Sequence, residues 1–167
     1  MINGKTTGTF AFNNKGGLFL DKAGTSSTGS QYYTDKLVEG INDGEEINIS
    51  IGNQFKTTAN TVEDVDKVHG GGVTDNYELT TVTASGKKVV KKSDVMISGN
   101  LARGAKTTFG KALKQNAADI LFHELVGHSI PWITKTDTGN AVDNENKVRK
   151  ELKVPERQAD PNHVEQY

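Results

Sequence analysis

One segment, AADILFHELVGHSIPW (residues 117–132), constrains the fold of this chain more than any other. Between Ala117 and Val126, every side chain is apolar except those of Asp119, His123 and Glu124. A helix that is apolar on all sides is normally buried. The sequence therefore predicts a buried helix here.

The helical period begins earlier in the sequence, at Thr108. Phe109, Leu113, Ala117 and Ile120 follow one another at the spacing of a single helix face. We expect the helix to end at Pro131, because a proline disfavours helical geometry at the residue before it.

Two histidines and a glutamate interrupt the apolar helix as HELVGH. His123, Glu124 and His128 are similar to the zinc signature H-E-x-x-H, but the histidines are five residues apart and not four. On an ideal helix, residues four apart differ by about 40° around the axis, and residues five apart differ by about 140°. Either a π-bulge or a loosening of the helix at Gly127 would bring the two imidazoles together.

A metal ion is one explanation for these polar groups, and a buried His–Glu pair held by hydrogen bonds is the other. Glu124 lies four residues past Ile120 and so continues the buried stripe. Burying an unpaired carboxylate is costly. A divalent cation would offset that cost, and we expect a metal site.

The rest of the chain predicts an α+β fold. TFAF and GLFL predict short strands, followed by a flexible linker at residues 22–30. SQYYTDKLVEGIN predicts a helix, EEINISIGN a strand, and NYELTTVTASGKKVVKKSDVMISG two or three strands with a hairpin turn at Ser85–Gly86. A last helix is expected from about Ala141 to Leu152. We expect a single domain over residues 1–167, with residues 1–30 as a flexible arm.

Composition excludes several function classes. Twenty basic residues balance 21 acidic ones, so no charge excess favours nucleic acid. No apolar run approaches the roughly 20 residues of a membrane span, and the N-terminus MINGKTTGTFAFNNKGG has no apolar signal-peptide region. The chain has no cysteine, so zinc ligands must come from histidine and carboxylate. The stretch from about Thr57 to Asp75, which contains HGGGVTDN, is interpreted as a loop, and His69 as a loop histidine.

Two histidines do not complete a catalytic zinc site, which usually has a third protein ligand and a water molecule. Glu145 interrupts an apolar stripe on the last predicted helix, and Arg149 lies one turn further on to orient it. We expect Glu145 to be the third ligand. The alternatives are an ordinary Glu145–Arg149 pair on a solvated face, and Asp137 as the ligand. His163 is a candidate ligand or oxyanion donor, and the other oxyanion candidates are Tyr32, Tyr33 and Tyr167.

Two family resemblances follow from these motifs. HELVGH resembles the H-E-L-L-G-H motif of dipeptidyl peptidase III, a zinc exopeptidase with the same spacing. ILFHELVGHSI followed by NENKVRKELKVPER is similar to the NleD-like effector metallopeptidases and the related domains of Rhs-type polymorphic toxins. That resemblance covers about residues 117–160. It includes seven positions of the second segment: Glu145, Asn146, Arg149, Glu151, Leu152, Pro155 and Arg157.

The resemblance implies a bacterial protein that is secreted or translocated into other cells without a Sec signal peptide. Together with the residues, it predicts a zinc metallopeptidase of zincin type that acts on a protein or peptide substrate. His123, His128 and Glu145 would hold Zn²⁺, and Glu124 would be the general base. The alternative is a non-catalytic, zinc-stabilised interaction module, in which four protein ligands would fill the coordination sphere of the zinc.

Overall fold

The computed structural model of the protein describes residues 1–24, 26–84, 86–102, 104–136 and 139–163. They form a mixed α+β fold, as the sequence predicted. The strands are β1 (Thr9–Phe12), β2 (Leu18–Lys22), β3 (Glu46–Ile51), β4 (Gln54–Lys56), β5 (Val62–Asp64), β6 (Gly72–Thr83) and β7 (Gly86–Ile97). The helices are α1 (Gln31–Asp43), α2 (Val65–His69), α3 (Ala117–Glu124), α4 (Ile130–Thr134) and α5 (Ala141–Glu151), and a π-helical turn (Leu125–Ser129) joins α3 to α4.

The largest sheet has the strand order β3-β7-β6. Strand β3 runs parallel to β7, and β6 runs antiparallel to it as an edge strand of this sheet. The expected hairpin joins β6 to β7, with Thr83 paired to Gly86, although Ser85 itself lies outside the described residues. Strands β1–β2 and β4–β5 form two separate antiparallel ribbons.

The predicted buried helix lies at the centre of the molecule. Six consecutive residues of α3, from Asp119 to Glu124, are buried. Their apolar members pack against β7 through Val95 and Ile97 and against α1 through Tyr33. The rings of Tyr33 and Phe122 meet edge to face with centroids 6.0 Å apart. The sheet, α1 and α5 thus enclose the helix that carries the sequence motif.

This helix begins at Ala117, so the helical stripe predicted from Thr108 is wrong over residues 108–116. Phe109 is 88% exposed. Asn116 sets the start: its side chain accepts hydrogen bonds from the backbone of Ala118 and Asp119, and the Asp119 carboxylate accepts one from the Asn116 N–H. Such a capping box specifies a helix N-terminus locally, and it overrides the apolar spacing upstream.

The expected helix end at Pro131 is also wrong. Pro131 lies in the first turn of α4, and Lys135, the residue that follows this helix, has a left-handed conformation. The first turn is where a helix best tolerates a proline, because the N–H groups there lack the usual partners. The π turn directly before it creates such a position inside a longer helix.

Part of the N-terminal segment packs onto the rest of the fold, and the suggestion that residues 1–30 form a flexible arm stays a prediction. Thr6 and Phe10 are buried, and Phe10 joins the main core. The Lys5 ammonium lies 2.8 Å from the Asp119 carboxylate at the start of α3. The N-terminal segment therefore supports the central helix directly.

Two smaller features complete the fold. The stretch expected to be a loop, residues 57–75, contains β5, α2 and the start of β6. Within the described ranges, no helix combines the length and apolar character needed to cross a membrane.

Candidate metal centre

The five-residue spacing of the histidines is accommodated by a π-helical turn. Residues Leu125–Ser129 are π-helical, and the N–H of Ile130 bonds to the carbonyl of Leu125. The wider turn brings the rings of His123 and His128 to a centroid distance of 5.1 Å. Of the two predicted accommodations, the π-bulge is confirmed.

Gly127 contributes to this turn through its small size. A Cβ atom at this position would lie 2.9 Å from the Cβ of Ala141 and 3.3 Å from its Cα. Real Cβ atoms do not approach neighbours so closely. The glycine therefore lets the π turn contact the first residue of α5.

A third histidine, His163, completes a cluster. One ring nitrogen from each of His123, His128 and His163 lies within 4.8 Å of the other two. The Nε2 atoms of His163 and His128 are 2.9 Å apart. Nitrogen ligands of a tetrahedral zinc ion would be about 3.4 Å apart, given Zn–N bonds of about 2.0–2.1 Å. The three histidines are therefore close enough to bind a metal ion.

Backbone contacts with the start of α5 hold His163 in place. The N–H of Ala141 donates to the carbonyl of His163 at 2.9 Å. The side-chain amide of Asn140 donates to the carbonyl of Asp160. The Asp160 carboxylate lies 3.7 Å from Nδ1 of His163, so Nε2 is the nitrogen that faces the cluster.

Glu145 takes a position behind His123 and outside the three-histidine cluster. Its Oε2 lies 2.9 Å from Nδ1 of His123 and accepts from Nη1 of Arg157 at 3.2 Å. Its Oε1 accepts from Nε of Arg149 at 2.5 Å and from the Gln115 amide at 3.0 Å. Both oxygens are thus engaged by donors of the protein, and Glu145 does not belong to the cluster that is close enough to bind a metal.

This network is buried. Glu145 is 0% and Arg149 2% exposed, so the alternative of a solvated Glu145–Arg149 pair is wrong. Burial by itself would raise the pKa of Glu145, but the charges of His123, Arg149 and Arg157 outweigh it and lower the pKa to about 2. An anionic Glu145 favours a proton on Nδ1 of His123 and leaves Nε2 for a ligand.

The His163 side chain favours its neutral form. Burial, followed by the positive charges of His123, His128 and Arg157, lowers its pKa to about 4. A neutral imidazole has a free lone pair, which is the form that binds a metal.

Glu124 lies in the same cavity as the three histidines. It is buried, and its Oε2 accepts a hydrogen bond from the Thr74 hydroxyl at 2.7 Å. A Cβ atom at Gly72 would lie 2.7 Å from Oε1 of Glu124. The first residues of β6 therefore pass close to this carboxylate, and a glycine is required at the closest point.

The cavity has a volume of about 560 Å³. Its lining includes residues 72–74 of β6, His69 at the end of α2, Gln115 and Arg157. His69 is not a simple loop histidine, since its Nε2 lies 2.6 Å from the Glu63 carboxylate.

The remaining candidates lie elsewhere. The Tyr33 hydroxyl is buried in the core, and the Tyr32 hydroxyl donates to Asn144 at 3.2 Å; neither tyrosine lines the cavity. Asp137 and Tyr167 fall outside the described residues, so their roles stay predictions.

Comparisons with known proteins add no family to this geometry. No family model, no curated protein and no solved structure matches the chain.

Proposed function

We propose that the chain is a zinc-dependent peptidase of the zincin type. The observation that carries the proposal is the position of Glu124 beside His123, His128 and His163 in one cavity. Three imidazoles suit zinc, and catalytic zinc sites typically combine three protein ligands with one open position. We assign the third-ligand role to His163 in place of Glu145, which orients His123.

Glu124 acts as the general base. A zinc ion held by the histidines would supply Lewis acidity that lowers the pKa of a nearby water molecule towards neutrality. Glu124 accepts the proton of that water as its oxygen attacks the scissile carbonyl, and returns it to the leaving amine. Thr74 fixes the orientation of the carboxylate by donating to Oε2.

Strand β6 provides a place for a peptide substrate. It is at the edge of its sheet, and its residues 72–74 line the cavity next to Glu124. Extended peptides bind exposed sheet edges by adding a strand. A central helix beside a mixed sheet with an antiparallel edge strand is compatible with the zincin type.

The competing function is a zinc-stabilised interaction module. A structural zinc site is closed by four protein ligands. The cluster in the described part of the chain contains three histidines, with Glu124 beside them, and this count favours the peptidase. The resemblance to effector and toxin peptidases adds a bacterial context that the proposal does not depend on.

Elemental analysis and a peptide-library cleavage assay test the proposal. Protein purified without a metal-affinity tag should contain about one zinc per chain. Glu124→Gln should keep the zinc and lose cleavage by at least about a hundredfold, because the amide cannot accept a proton. Glu78→Gln, on the exposed part of β6, is the matched control. Four protein ligands in a zinc-bound structure, or wild-type cleavage by Glu124→Gln, would overturn the proposed mechanism.

A further inference from the structure

Arg157 is a cation of the cavity that the proposed mechanism does not use. It lies on the segment between α5 and His163 and lines the cavity with the three histidines. Asn146 holds its backbone from both sides: the Arg157 N–H donates to Oδ1 at 2.7 Å, and the Arg157 carbonyl accepts from Nδ2 at 2.9 Å. This clamp fixes the direction in which the side chain leaves the backbone.

The Arg157 guanidinium has N–H donors that are available to a ligand. Its Nη1 donates to Oε2 of Glu145, which is its one side-chain hydrogen bond among the described residues. A guanidinium carries five N–H donors in a rigid plane and stays protonated at every physiological pH. The Arg157 side chain is 20% exposed, so its remaining N–H groups can reach a bound ligand.

The position of Arg157 is close to the candidate metal ligands. The Glu145 oxygen that it contacts is the same one that lies 2.9 Å from His123. Arg149 contacts Glu145 as well, but it is 2% exposed, packs over the Phe122 ring at 5.5 Å and does not line the cavity.

We propose that Arg157 binds the oxyanion of the tetrahedral intermediate, an inference that rests on the proposed peptidase function. When the water oxygen bonds to the carbonyl carbon, the π-electron pair of the carbonyl moves onto its oxygen, and Glu124 takes the proton. The N–H groups of Arg157 donate to this negatively charged oxygen and keep their own protons. A charged, preorganised donor stabilises such an oxygen more than the neutral carbonyl it came from.

Phosphate binding tests this role without relying on cleavage. Inorganic phosphate, a tetrahedral anion, is titrated calorimetrically into wild-type protein, Arg157→Lys and Arg157→Met, each in zinc-loaded and metal-free form. We expect Arg157→Met to weaken phosphate binding about tenfold or more in both forms, and Arg157→Lys to weaken it less because the charge remains. Zinc content is measured first, so loss of metal is not mistaken for loss of anion binding.

Arg149→Lys is the matched control, because it also removes a guanidinium from Glu145 but alters nothing that lines the cavity. It should bind phosphate within about twofold of wild type. If it does not fold, Arg149→Gln takes its place, because it also removes the guanidinium from Glu145 and leaves the lining of the cavity unchanged. Equal phosphate affinity for wild type and Arg157→Met, or an equal loss in the control, shows that Arg157 only positions Glu145 and overturns the proposal.

Peptides distinguish an oxyanion from a substrate carboxylate. With a cleaved peptide in hand, Arg157→Met should lower kcat equally for its free-acid and C-terminally amidated forms. A loss confined to the free-acid form assigns Arg157 to a terminal carboxylate and refutes the oxyanion role. A protein that binds no zinc contradicts the proposed function, whereas zinc-loaded protein with Arg157-independent phosphate binding contradicts only this inference.

Discussion

At the scale of single residues, three histidines could bind a metal, and Glu145 orients one of them, His123. His123, His128 and His163 direct one nitrogen each into the cluster. Glu145 lies on the other side of the His123 ring, surrounded by donors from Gln115, Arg149 and Arg157. A carboxylate in this position fixes the orientation of the histidine ligand and raises its basicity. Glu145 is as deeply buried as any residue of the core.

Glu145→Gln and His163→Ala should therefore differ in their effect on zinc affinity. Replacing an orienting carboxylate typically weakens a metal site about 10- to 100-fold, so Glu145→Gln should still bind one zinc. His163→Ala removes a ligand and should weaken binding by more than about a hundredfold. Competition with a chelator measures both values, and Glu145→Asp, which keeps the charge, serves if Glu145→Gln unfolds. The opposite ranking would return the ligand role to Glu145.

The metal-free protein should lose stability between about pH 6.5 and pH 4 because of His163. Its pKa falls from an ordinary value of about 6.5 to about 4 in the folded protein. In this interval the unfolded chain binds the proton and the folded chain does not, so acidification favours unfolding. Glu145, whose pKa is about 2 when folded, contributes stability that is lost only as the pH falls below about 4.5.

Urea unfolding at pH 5 and pH 7.5 measures this effect. The stability difference between the two pH values should be smaller in His163→Ala than in the wild type. An equal difference in both proteins would show that His163 does not carry the pH dependence.

The sequence indicated several residues of the candidate site, but fewer of the contacts that these residues make. The similarity of HELVGH to the zinc signature indicated that His123, Glu124 and His128 belong together, although their spacing required a break in the ideal helical period. Glu145 was correctly expected to point inward from an apolar stripe. Its contact with Arg149 was predicted. Its contact with His123 was not, because a buried carboxylate is equally well placed beside a metal or beside the histidine that would bind it.

At the scale of secondary structure, the π turn is the element that makes the site. It adds one residue to the helix between His123 and His128 and keeps both rings on one side. It also brings Gly127 against Ala141, where α5 begins. The start of α5 is in turn hydrogen-bonded to His163. The turn therefore positions two histidines directly and the third through α5.

Gly127→Ala should destabilise the protein by roughly 1–3 kcal/mol, the usual cost of overpacking. The added methyl group would be 2.9 Å from the Cβ of Ala141. Ala141→Gly in the same chain should restore part of the loss, although the 3.3 Å contact with the Ala141 backbone remains. Chemical denaturation of the two single variants and the double variant forms a cycle. Additive effects would show that the two residues do not meet in the folded protein.

Element boundaries were less predictable than element types. The spacing of Phe109 and Leu113 matched a helix by chance, whereas Asn116 and Asp119 carried the true start signal. The effect of Pro131 depended on the π turn before it, which apolar periodicity does not reveal. In both places a local hydrogen-bonding arrangement decided the boundary.

At the scale of the whole molecule, the site joins parts of the chain that are far apart in sequence. Lys5 contacts the start of α3, Thr74 of β6 holds Glu124, and residues 156–158 bond to the loop around Lys106 and Thr108. Such long-range contacts depend on tertiary packing, which local patterns of apolar and polar residues do not reveal. This is why His163 was one candidate among several before the fold was known.

Because His163 lies on the segment that follows α5, a bound zinc ion should hold that segment against α3 and the π turn. We expect zinc to slow hydrogen exchange of the N–H groups of Ala141, bonded to His163, and Gln158, bonded to Lys106. A ligand that binds only when the segment is packed against the helix raises the free energy of local opening. The increase is about 4 kcal/mol at a free ligand concentration a thousand times the Kd. Exchange measured by mass spectrometry on peptides over residues 139–163 should show this protection in the wild type and lose it in His163→Ala. If zinc protects only residues 117–134, the metal is held without His163, and the third ligand must be sought elsewhere.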